Sequence, residues 1–201
     1  MRLQNGDVLL AWPLALHVIT AGWTYNSGKA HNAIDLRAAV NTPVFAAEDG
    51  VVDWTQDWDG HTTNGMMSYG NGVRIQHANY AGGMLQTRYA HLKSRCVKTG
   101  DRVKEGQLIG YSGQTGNCDG AHLHFEVIWK GIRRNPLYWL DSDFTCKDDN
   151  VAAHLGRYVS VVRPAAALFD VLLSRMSAGD KDRFVALAKE LNVDCSVSEV
   201  Q

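Results

Sequence analysis

Five side chains whose chemistry suits metal binding or proton transfer stand at short spacings or at the end of a β-type run in this sequence. His31 and Asp35 are four residues apart, His122 and His124 are two apart, and His91 follows the β-type run. Side chains two apart on a strand point to the same face, so one strand would present both His122 and His124 to one place. The sequence therefore predicts a histidine-rich site on a sheet.

Zinc chemistry would use such a set of residues. A catalytic zinc ion takes three protein ligands at roughly 2.0–2.2 Å and keeps one position open, and His and Asp are suitable ligands. Two further imidazoles could then exchange protons with the reacting groups or hydrogen-bond an oxyanion. A His-x-x-x-Asp pair is frequent by chance, and a His-x-His pair on a strand is only moderately specific. Spacing alone leaves two interpretations open, a zinc site and a set of ordinary histidines.

Short β-type runs separated by turn residues fill the chain up to about residue 140. The runs at 51–54, 72–77, 84–89 and 122–127 fit strands, and the last three alternate in character. Gly, Asn and Asp cluster between them, as turns require. The pattern predicts a mainly β fold with an antiparallel sheet and loops at the strand ends. Residues 57–71 are loop-like, which leaves open a lid over a cleft and a disordered insertion.

The character of the chain changes after residue 143. Apolar residues recur at helical spacing in 151–158, 164–176 and 184–191, and a Ser-Ala-Gly-Asp segment offers caps before the last of these. The sequence therefore predicts a β domain at residues 1–143. A small α-helical C-terminal appendage, with two or three short helices, is predicted at residues 144–201.

Composition and charge argue against several classes of protein. The 201 residues are 45% hydrophobic and 20% charged with a net charge of −1, which is typical of a globular domain and gives no signature of nucleic-acid binding. The apolar run at 8–16 is too short for a membrane span, and Pro13 interrupts it. It also follows Asp7 rather than a basic segment, so we expect synthesis in the cytoplasm without a secretion signal.

Several other reactive side chains are expected to have structural or incidental roles. The cysteines form no Cys-x-x-Cys pair, so free thiols are the default expectation, and one or two disulfides stay open. They are Cys96, Cys118, Cys146 and Cys195. Cys118 lies four residues before His122, but we interpret it as a bystander thiol in a loop. His77 is expected to be a structural residue of a strand.

Ordered motifs over residues 12–140 resemble the lysostaphin-type (LytM-like) zinc metallo-endopeptidases, a family of peptidoglycan hydrolases. The similarity includes His31-Asn-Ala-Ile-Asp35-Leu near the start and Gly120-Ala-His122-Leu-His124-Phe-Glu-Val near the end. Between them, the segments at 42–52, 69–77, 87–92 and 97–110 follow in the family order. The resemblance implies an antiparallel β-sheet peptidase domain with a duplicated hybrid motif. The helices predicted near the C-terminus are not part of that catalytic unit.

The resemblance also implies a role for each residue of the predicted site and names Zn²⁺ as the cofactor. The implied zinc ligands are His31, Asp35 and His124, and the implied catalytic residues are His91, His122 and Tyr25. Tyr25 would donate a hydrogen bond to the oxyanion. The sequence departs from the family at Ala33, where glycine is usual, and lacks the usual arginine between Trp23 and His31.

The leading functional hypothesis is a zinc-dependent endopeptidase that hydrolyses peptide bonds in the stem or cross-bridge of bacterial peptidoglycan. Without an export signal, a phage-derived lysin or virion-associated wall hydrolase is favoured, carried on the particle or released at lysis. The alternative is a catalytically silent family member that acts as a wall-binding or regulatory module, which the presence of all five key residues disfavours. A lipoyl-type carrier, suggested by residues 97–110, is rejected because neither Lys98 nor Lys104 has a clear hairpin-tip context. The bond that is cut and the oligomeric state stay open.

Overall fold

The computed structural model describes residues 9–156, and strands within that range join one hydrogen-bonded sheet. They are β1 (Val18–Ala21), β2 (Ile34–Arg37), β3 (Pro43–Phe45), β4 (Gly50–Gln56), β5 (Asn71–His77), β6 (Leu85–Arg95), β7 (Arg102–Val103), β8 (Leu108–Ser112), β9 (His122–Trp129), β10 (Ile132–Arg134) and β11 (Thr145–Cys146). The described range also contains two 3₁₀-helices, Gly65–Tyr69 and Pro136–Tyr138, and one α-helix, α1 (Asp149–Ala153). The expected mainly β fold is confirmed.

The order of the strands puts β9 inside the sheet, between β2 and β6. The main path runs β11-β1-β2-β9-β6-β5-β4-β7, with β10 against β9 and with β8 against both β3 and β6. Only β1 and β11 pair in parallel among the described strands. The register sets Asp35 of β2 and Ala90 of β6 on either side of His124 in β9. Three strands that are distant in sequence thus meet at one point of the sheet.

Alternation along β9 separates the core from the chemically active side chains. Leu123, Phe125 and Val127 are fully buried and belong to the hydrophobic core. His122 and His124 lie on the opposite face, because successive side chains of a strand point to opposite sides. Burial of a side chain such as Phe125 stabilises the fold by roughly 1.5–3 kcal/mol. The strand that anchors the core therefore also fixes the two imidazoles.

Residues beyond position 143, where the predicted β domain ends, take part in the same sheet-bearing unit. β11 pairs with β1, and the side-chain amide of Asn135 donates to the carbonyl oxygen of Leu155 at 2.7 Å. The segment predicted as a helix at 151–158 contains only the end of α1 in the described range. The helices predicted at 164–176 and 184–191 lie outside the described residues. No helix between residues 9 and 156 is long and apolar enough to cross a bilayer.

Candidate metal centre

Three donor atoms from His31, Asp35 and His124 form a small triangle beside the paired strands β2 and β9. Nε2 of His31 is 3.1 Å from Nδ1 of His124 and 3.2 Å from Oδ1 of Asp35. The third edge, from Nδ1 of His124 to Oδ1 of Asp35, is 3.0 Å. Ligands about 2.0–2.1 Å from a tetrahedral zinc ion are about 3.3–3.4 Å apart. All three residues are buried, so the donor set and its spacing fit a zinc ion.

A sharp turn before β2 brings His31 against Asp35. The backbone NH groups of His31 and Asn32 both donate to the carbonyl oxygen of Trp23, at 3.2 and 3.1 Å. Asn32 has a left-handed backbone with a φ of 59°, a conformation that asparagine adopts more readily than most residues. Asp35 follows in β2, directly opposite His124. Turn geometry and strand register together converge the three donors.

Hydrogen bonds on the far side of each imidazole determine which nitrogen faces the triangle. Nδ1 of His31 donates to the carbonyl oxygen of Gly22 at 2.7 Å, which leaves Nε2 unprotonated in the neutral ring. Nε2 of His124 lies 3.4 Å from Oε1 of Glu126. With the proton on that nitrogen, Nδ1 of the neutral ring is available to a metal. Both rings therefore have the outer partner that a metal-binding histidine requires.

The charges around His124 favour a cation in the triangle. Burial would raise the pKa of Asp35, but hydrogen bonds from His124 and His31 lower that pKa well below its usual range. Burial would likewise lower the pKa of His124, yet its hydrogen bonds to Asp35 and Glu126 raise that pKa to about 9. Two ionised carboxylates thus flank one imidazole. A proton on His124 or a divalent cation in the triangle balances their charge.

Glu126 is a residue of the cluster that the sequence analysis missed. Its fully buried carboxylate accepts hydrogen bonds from Nη1 of Arg88 at 2.9 Å and from the Tyr69 hydroxyl at 2.8 Å, and it lies 3.3 Å from Nη1 of Arg133. Burial would raise the pKa of Glu126, but the hydrogen bond with His124 and the charge of Arg88 lower it to about 2. The carboxylate is therefore ionised at neutral pH. A sequence signal existed, since Glu126 is two residues beyond His124 and shares its strand face.

A β-bulge places His91 beside the donor triangle. The register between β5 and β6 shifts there, so that Ala90 and His91 stand against Gly72 alone. His91 has a φ of 58°, and such a left-handed conformation costs roughly 1–3 kcal/mol and is concentrated at functional sites. Nδ1 of His91 donates to the carbonyl oxygen of Thr115 at 2.8 Å, which leaves Nε2 unprotonated. The ring centroids of His91 and His124 are 5.6 Å apart.

His122 stands next to His91, with ring centroids 4.8 Å apart. Nδ1 of His122 lies 2.9 Å from the carbonyl oxygen of Gly120. Its Nε2 is buried without a hydrogen-bond partner among the described residues and is 3.5 Å from Oδ1 of Asp35. A buried nitrogen without a hydrogen bond destabilises the protein unless a ligand supplies the missing partner.

Burial, together with the nearby charges of His124 and His122, lowers the pKa of His91 to about 4. A neutral His91 and the unpaired nitrogen of His122 therefore adjoin the triangle.

Tyr25 covers the outer side of the site. Its ring stacks on that of His31 with centroids 4.3 Å apart, and the residue is 42% exposed. Partial burial and the negative charge of Asp35 raise the pKa of the phenol, so the hydroxyl keeps its proton at neutral pH and can donate. The structure thus brings all six predicted site residues into one cluster.

His77 and Cys118, both interpreted as residues without chemistry, have different surroundings. His77 is buried and hydrogen-bonds the carbonyl oxygen of Asp49 at 2.9 Å and Oγ1 of Thr87 at 2.8 Å, as a structural residue would. Sγ of Cys118 lies 3.4 Å from Nδ1 of His122, so this thiol contacts the site. The free cysteines of the described range are Cys96, Cys118 and Cys146, and Cys195 lies outside it.

The sequence is similar to those of known peptidases over much of the described range. Residues 29–136 match Peptidase family M23. The peptidoglycan DD-endopeptidase ShyC of Vibrio cholerae is 42% identical over 124 residues, which are 62% of this chain and 25% of that protein. The glycyl-glycine endopeptidase ALE-1 of Staphylococcus capitis is 32% identical over 152 residues, 71% of this chain and 39% of that protein. The chain thus spans between a quarter and two fifths of these curated relatives.

A solved structure shows a similar fold at comparable identity. The crystal structure of the catalytic domain of EnpA, a prophage-encoded M23 protein from Enterococcus faecalis, matches with a TM-score of 0.52 and 30% sequence identity. The match covers 63% of this chain and 93% of that one. The resemblance therefore extends over nearly the whole of that catalytic domain.

Proposed function

Because the chain belongs to peptidase family M23, we propose that it is a zinc-dependent endopeptidase that hydrolyses peptide bonds in the stem or cross-bridge of bacterial peptidoglycan. The observation that carries the proposal is the buried donor triangle of His31, Asp35 and His124 with two further imidazoles beside it. Similar proteins named as a peptidoglycan DD-endopeptidase and a glycyl-glycine endopeptidase support the substrate class.

We assign the zinc ion to His31, Asp35 and His124, whose donor atoms are 3.0–3.2 Å apart. A bound zinc ion supplies Lewis-acid chemistry, because it polarises a carbonyl group and lowers the pKa of water to about 7. Gly22 and Glu126 hold the two imidazoles from outside. This outer support keeps the ligand nitrogens in one orientation and so favours metal affinity.

We assign the movement of protons to His91 and His122. Peptide hydrolysis removes one proton from water as its oxygen attacks the carbonyl carbon, and the amine nitrogen gains one as the C–N bond breaks. Nε2 of His122 is the base that we favour, because Asp35 at 3.5 Å stabilises the imidazolium that forms. The same nitrogen then returns the proton to the amine. His91, whose lowered pKa keeps it neutral, accepts a hydrogen bond from the attacking water and orients it.

Tyr25 is assigned to the developing oxyanion. Its hydroxyl keeps its proton at neutral pH, and its ring rests on His31 at the open side of the site. Loss of one oxyanion donor costs roughly 10²–10³ in turnover. The catalytically silent alternative would need no such assembly of proton-transfer groups, so the cluster supports the enzyme.

The test combines metal removal with product analysis. Purified protein is incubated with soluble stem peptides, glycine-bridged peptides and isolated walls, and fragments are identified by mass spectrometry. We expect cleavage that a chelator abolishes and added zinc restores. His31→Ala should lose both zinc and cleavage. Undiminished cleavage by protein shown to be metal-free would exclude the zinc mechanism, and zinc binding without any cleavage would favour the silent module.

The biological setting that we propose is a phage-derived lysin or a virion-associated wall hydrolase. Its support is the likeness to the catalytic domain of a prophage-encoded protein. The position of the coding gene tests this directly. We expect it among genes for virion assembly or lysis, whereas a gene that lies among bacterial wall-growth genes, with no phage gene nearby, would contradict the proposal.

A further inference from the structure

A second group of metal-binding side chains lies beside the donor triangle and shares none of its residues. It consists of His91, Cys118 and His122, and one donor atom of each lies within 4.8 Å of the other two. Cys118 belongs to the loop before β9, and the two histidines are those assigned above to proton movement. Thiolate sulfur and imidazole nitrogen are preferred ligands of zinc and of softer ions such as cadmium.

The distance between the donor atoms of Cys118 and His122 fits the binding of one ion by both. Sγ of Cys118 is 3.4 Å from Nδ1 of His122. In a tetrahedral site with the sulfur at about 2.3 Å and the nitrogen at about 2.1 Å, the two ligands are about 3.6 Å apart. Both atoms contact the carbonyl oxygen of Gly120, at 2.7 and 2.9 Å. The two donors therefore converge on one point, and an ion there would replace two hydrogen bonds.

His91 can supply the third donor of this group. Its Nδ1 is held by Thr115, so Nε2 has a free lone pair, and its ring is 4.8 Å from that of His122. Each donor atom lies within 4.8 Å of the other two, against roughly 3.4–3.6 Å in a closed tetrahedral site. The two hydrogen bonds to Gly120 that an ion would replace make the group a weaker site than the triangle.

We propose that His91, Cys118 and His122 form a second, lower-affinity site for a thiophilic divalent ion such as zinc, and that its occupancy inhibits the enzyme. An ion held there takes up the Nε2 lone pair of His91. Binding through Nδ1 of His122 leaves the proton of the neutral ring on Nε2, so that nitrogen can no longer act as the base. Inhibition rests on the proposed function, whereas binding of the second ion does not. Excess zinc thus inhibits by binding next to the zinc that supports activity, since the ring centroids of His91 and His124 are 5.6 Å apart.

The surroundings of the thiol make it resistant to oxidation without preventing metal binding. Burial raises the pKa of the Cys118 thiol, and the nearby charge of Asp35 adds to this. Such a thiol is a poor nucleophile, because the thiolate is the reactive form. A bound metal ion removes the proton itself, so a raised pKa weakens the site without abolishing it.

Titration of the metal-free protein, residues 1–201, with Co²⁺ tests the site without any activity measurement. The first equivalent should fill the triangle, which has no sulfur ligand, and give no sulfur-to-cobalt charge-transfer absorption in the near ultraviolet. The second equivalent should produce that absorption. A sulfur band with the first equivalent, or none in the wild type after several equivalents, would overturn the proposal whether or not the chain cleaves peptidoglycan.

Two matched variants assign the second signal to one thiol. Cys118→Ser should lose the band and bind the second ion more weakly, beyond the roughly 10–100-fold that loss of an outer partner causes. Cys118→Ala serves if the serine variant does not fold. Cys96→Ser changes an exposed free thiol and should keep the band. A band that survives in both Cys118 variants would refute the assignment.

Inhibition is read as a ratio within each protein, so that differences in basal activity cancel. Cleavage in excess zinc is divided by cleavage at one zinc per chain. The ratio should fall well below one in the wild type and in Cys96→Ser, and should stay near one in Cys118→Ser over at least a tenfold higher zinc concentration. Equal inhibition of all three proteins would contradict an inhibitory role for the sulfur site.

Discussion

The replacement of Glu126 by glutamine tests whether the buried carboxylate controls the metal centre from outside. Glu126→Gln preserves the size of the side chain but removes its negative charge. Nε2 of His124 then loses an ionised acceptor at 3.4 Å, and Arg88 loses its ion pair at 2.9 Å. The substitution therefore has two separable effects, one on zinc affinity and one on folding.

The expected loss of zinc affinity follows from the position of Glu126 behind a proposed ligand. Loss of such an outer partner typically lowers metal affinity by about 10–100-fold, which corresponds to about 1.4–2.8 kcal/mol. The effect is expected because an amide attracts the Nε2 proton of His124 less strongly than a carboxylate does. The orientation of Nδ1 toward the triangle would then be less firmly held.

The expected loss of stability follows from the buried ion pair. Breaking such a pair by removing one partner costs about 3–5 kcal/mol. The amide oxygen of glutamine can still accept one hydrogen bond, so we expect about 2–4 kcal/mol in the metal-free protein. The pKa of Glu126 is lowered from 4.5 to about 2. Its stabilising contribution is therefore complete above about pH 4.5 and is lost as the pH falls toward 2.

Two measurements on the same preparations check these values. Zinc affinity is measured by competition with a chromophoric chelator, and the free energy of unfolding by urea denaturation without metal. Arg133→Ala is the matched control, because that side chain is 45% exposed and its pairing with Glu126 at 3.3 Å should contribute less than about 1 kcal/mol. Zinc affinity of Glu126→Gln within twofold of the wild type would refute the positioning role.

Three further predictions concern the rest of the site and the sheet. His91→Ala and His122→Ala should keep zinc while turnover falls by roughly 10²–10⁴; zinc loss equal to that of His31→Ala would show that a ligand was misassigned. Gly70→Ala should destabilise the protein and reduce turnover, because its φ is 64° and a Cβ would overlap the backbone of Thr115, which holds His91. Gly60→Ala, with a φ of 90° and open space around its Cβ, is the control for backbone strain alone. If Gly60→Ala and Gly70→Ala lower the free energy of unfolding in urea by the same amount, the packing argument is wrong. Burial lowers the pKa of His77, so its contribution to stability is present above the unfolded pKa of about 6.5 and is lost as the pH falls below it. The free energy of unfolding should accordingly change less in His77→Gln than in the wild type between about pH 7.5 and pH 5.5. If the free energy of unfolding of both proteins changes equally with pH over that range, the prediction is wrong.

Side chains two residues apart on a strand point to the same face, and this rule made part of the site predictable from sequence. His122 and His124 had to share a face once β9 was recognised, and the same rule would have identified Glu126. The pairing of Asp35 with His124 could not be read from either segment, because it depends on the register between strands that are distant in sequence. The motif resemblance supplied that pairing instead.

The geometry of His91 and Cys118 depends on structure that local sequence does not encode. His91 reaches the site because of a bulge with a left-handed residue. Histidine is enriched in that conformation, but neither Ala90 nor His91 marks a bulge as a glycine would. Cys118 meets His122 only because its loop turns back to the Gly120 carbonyl. The sequence spacing of four residues was equally compatible with an isolated thiol.

The site is divided between strands and loops, and this division determines which of its residues can be substituted without moving the others. Asp35 and His124 lie on adjacent strands, so the core-packed sheet sets the position of the proposed metal site. Tyr25 and Cys118 lie on loops at its edge, where substitutions need not disturb the strand register. Metal position and the chemistry of the rim can therefore change independently. The proposed second, inhibitory ion at Cys118 would accordingly leave the three proposed ligands of the first ion unaltered.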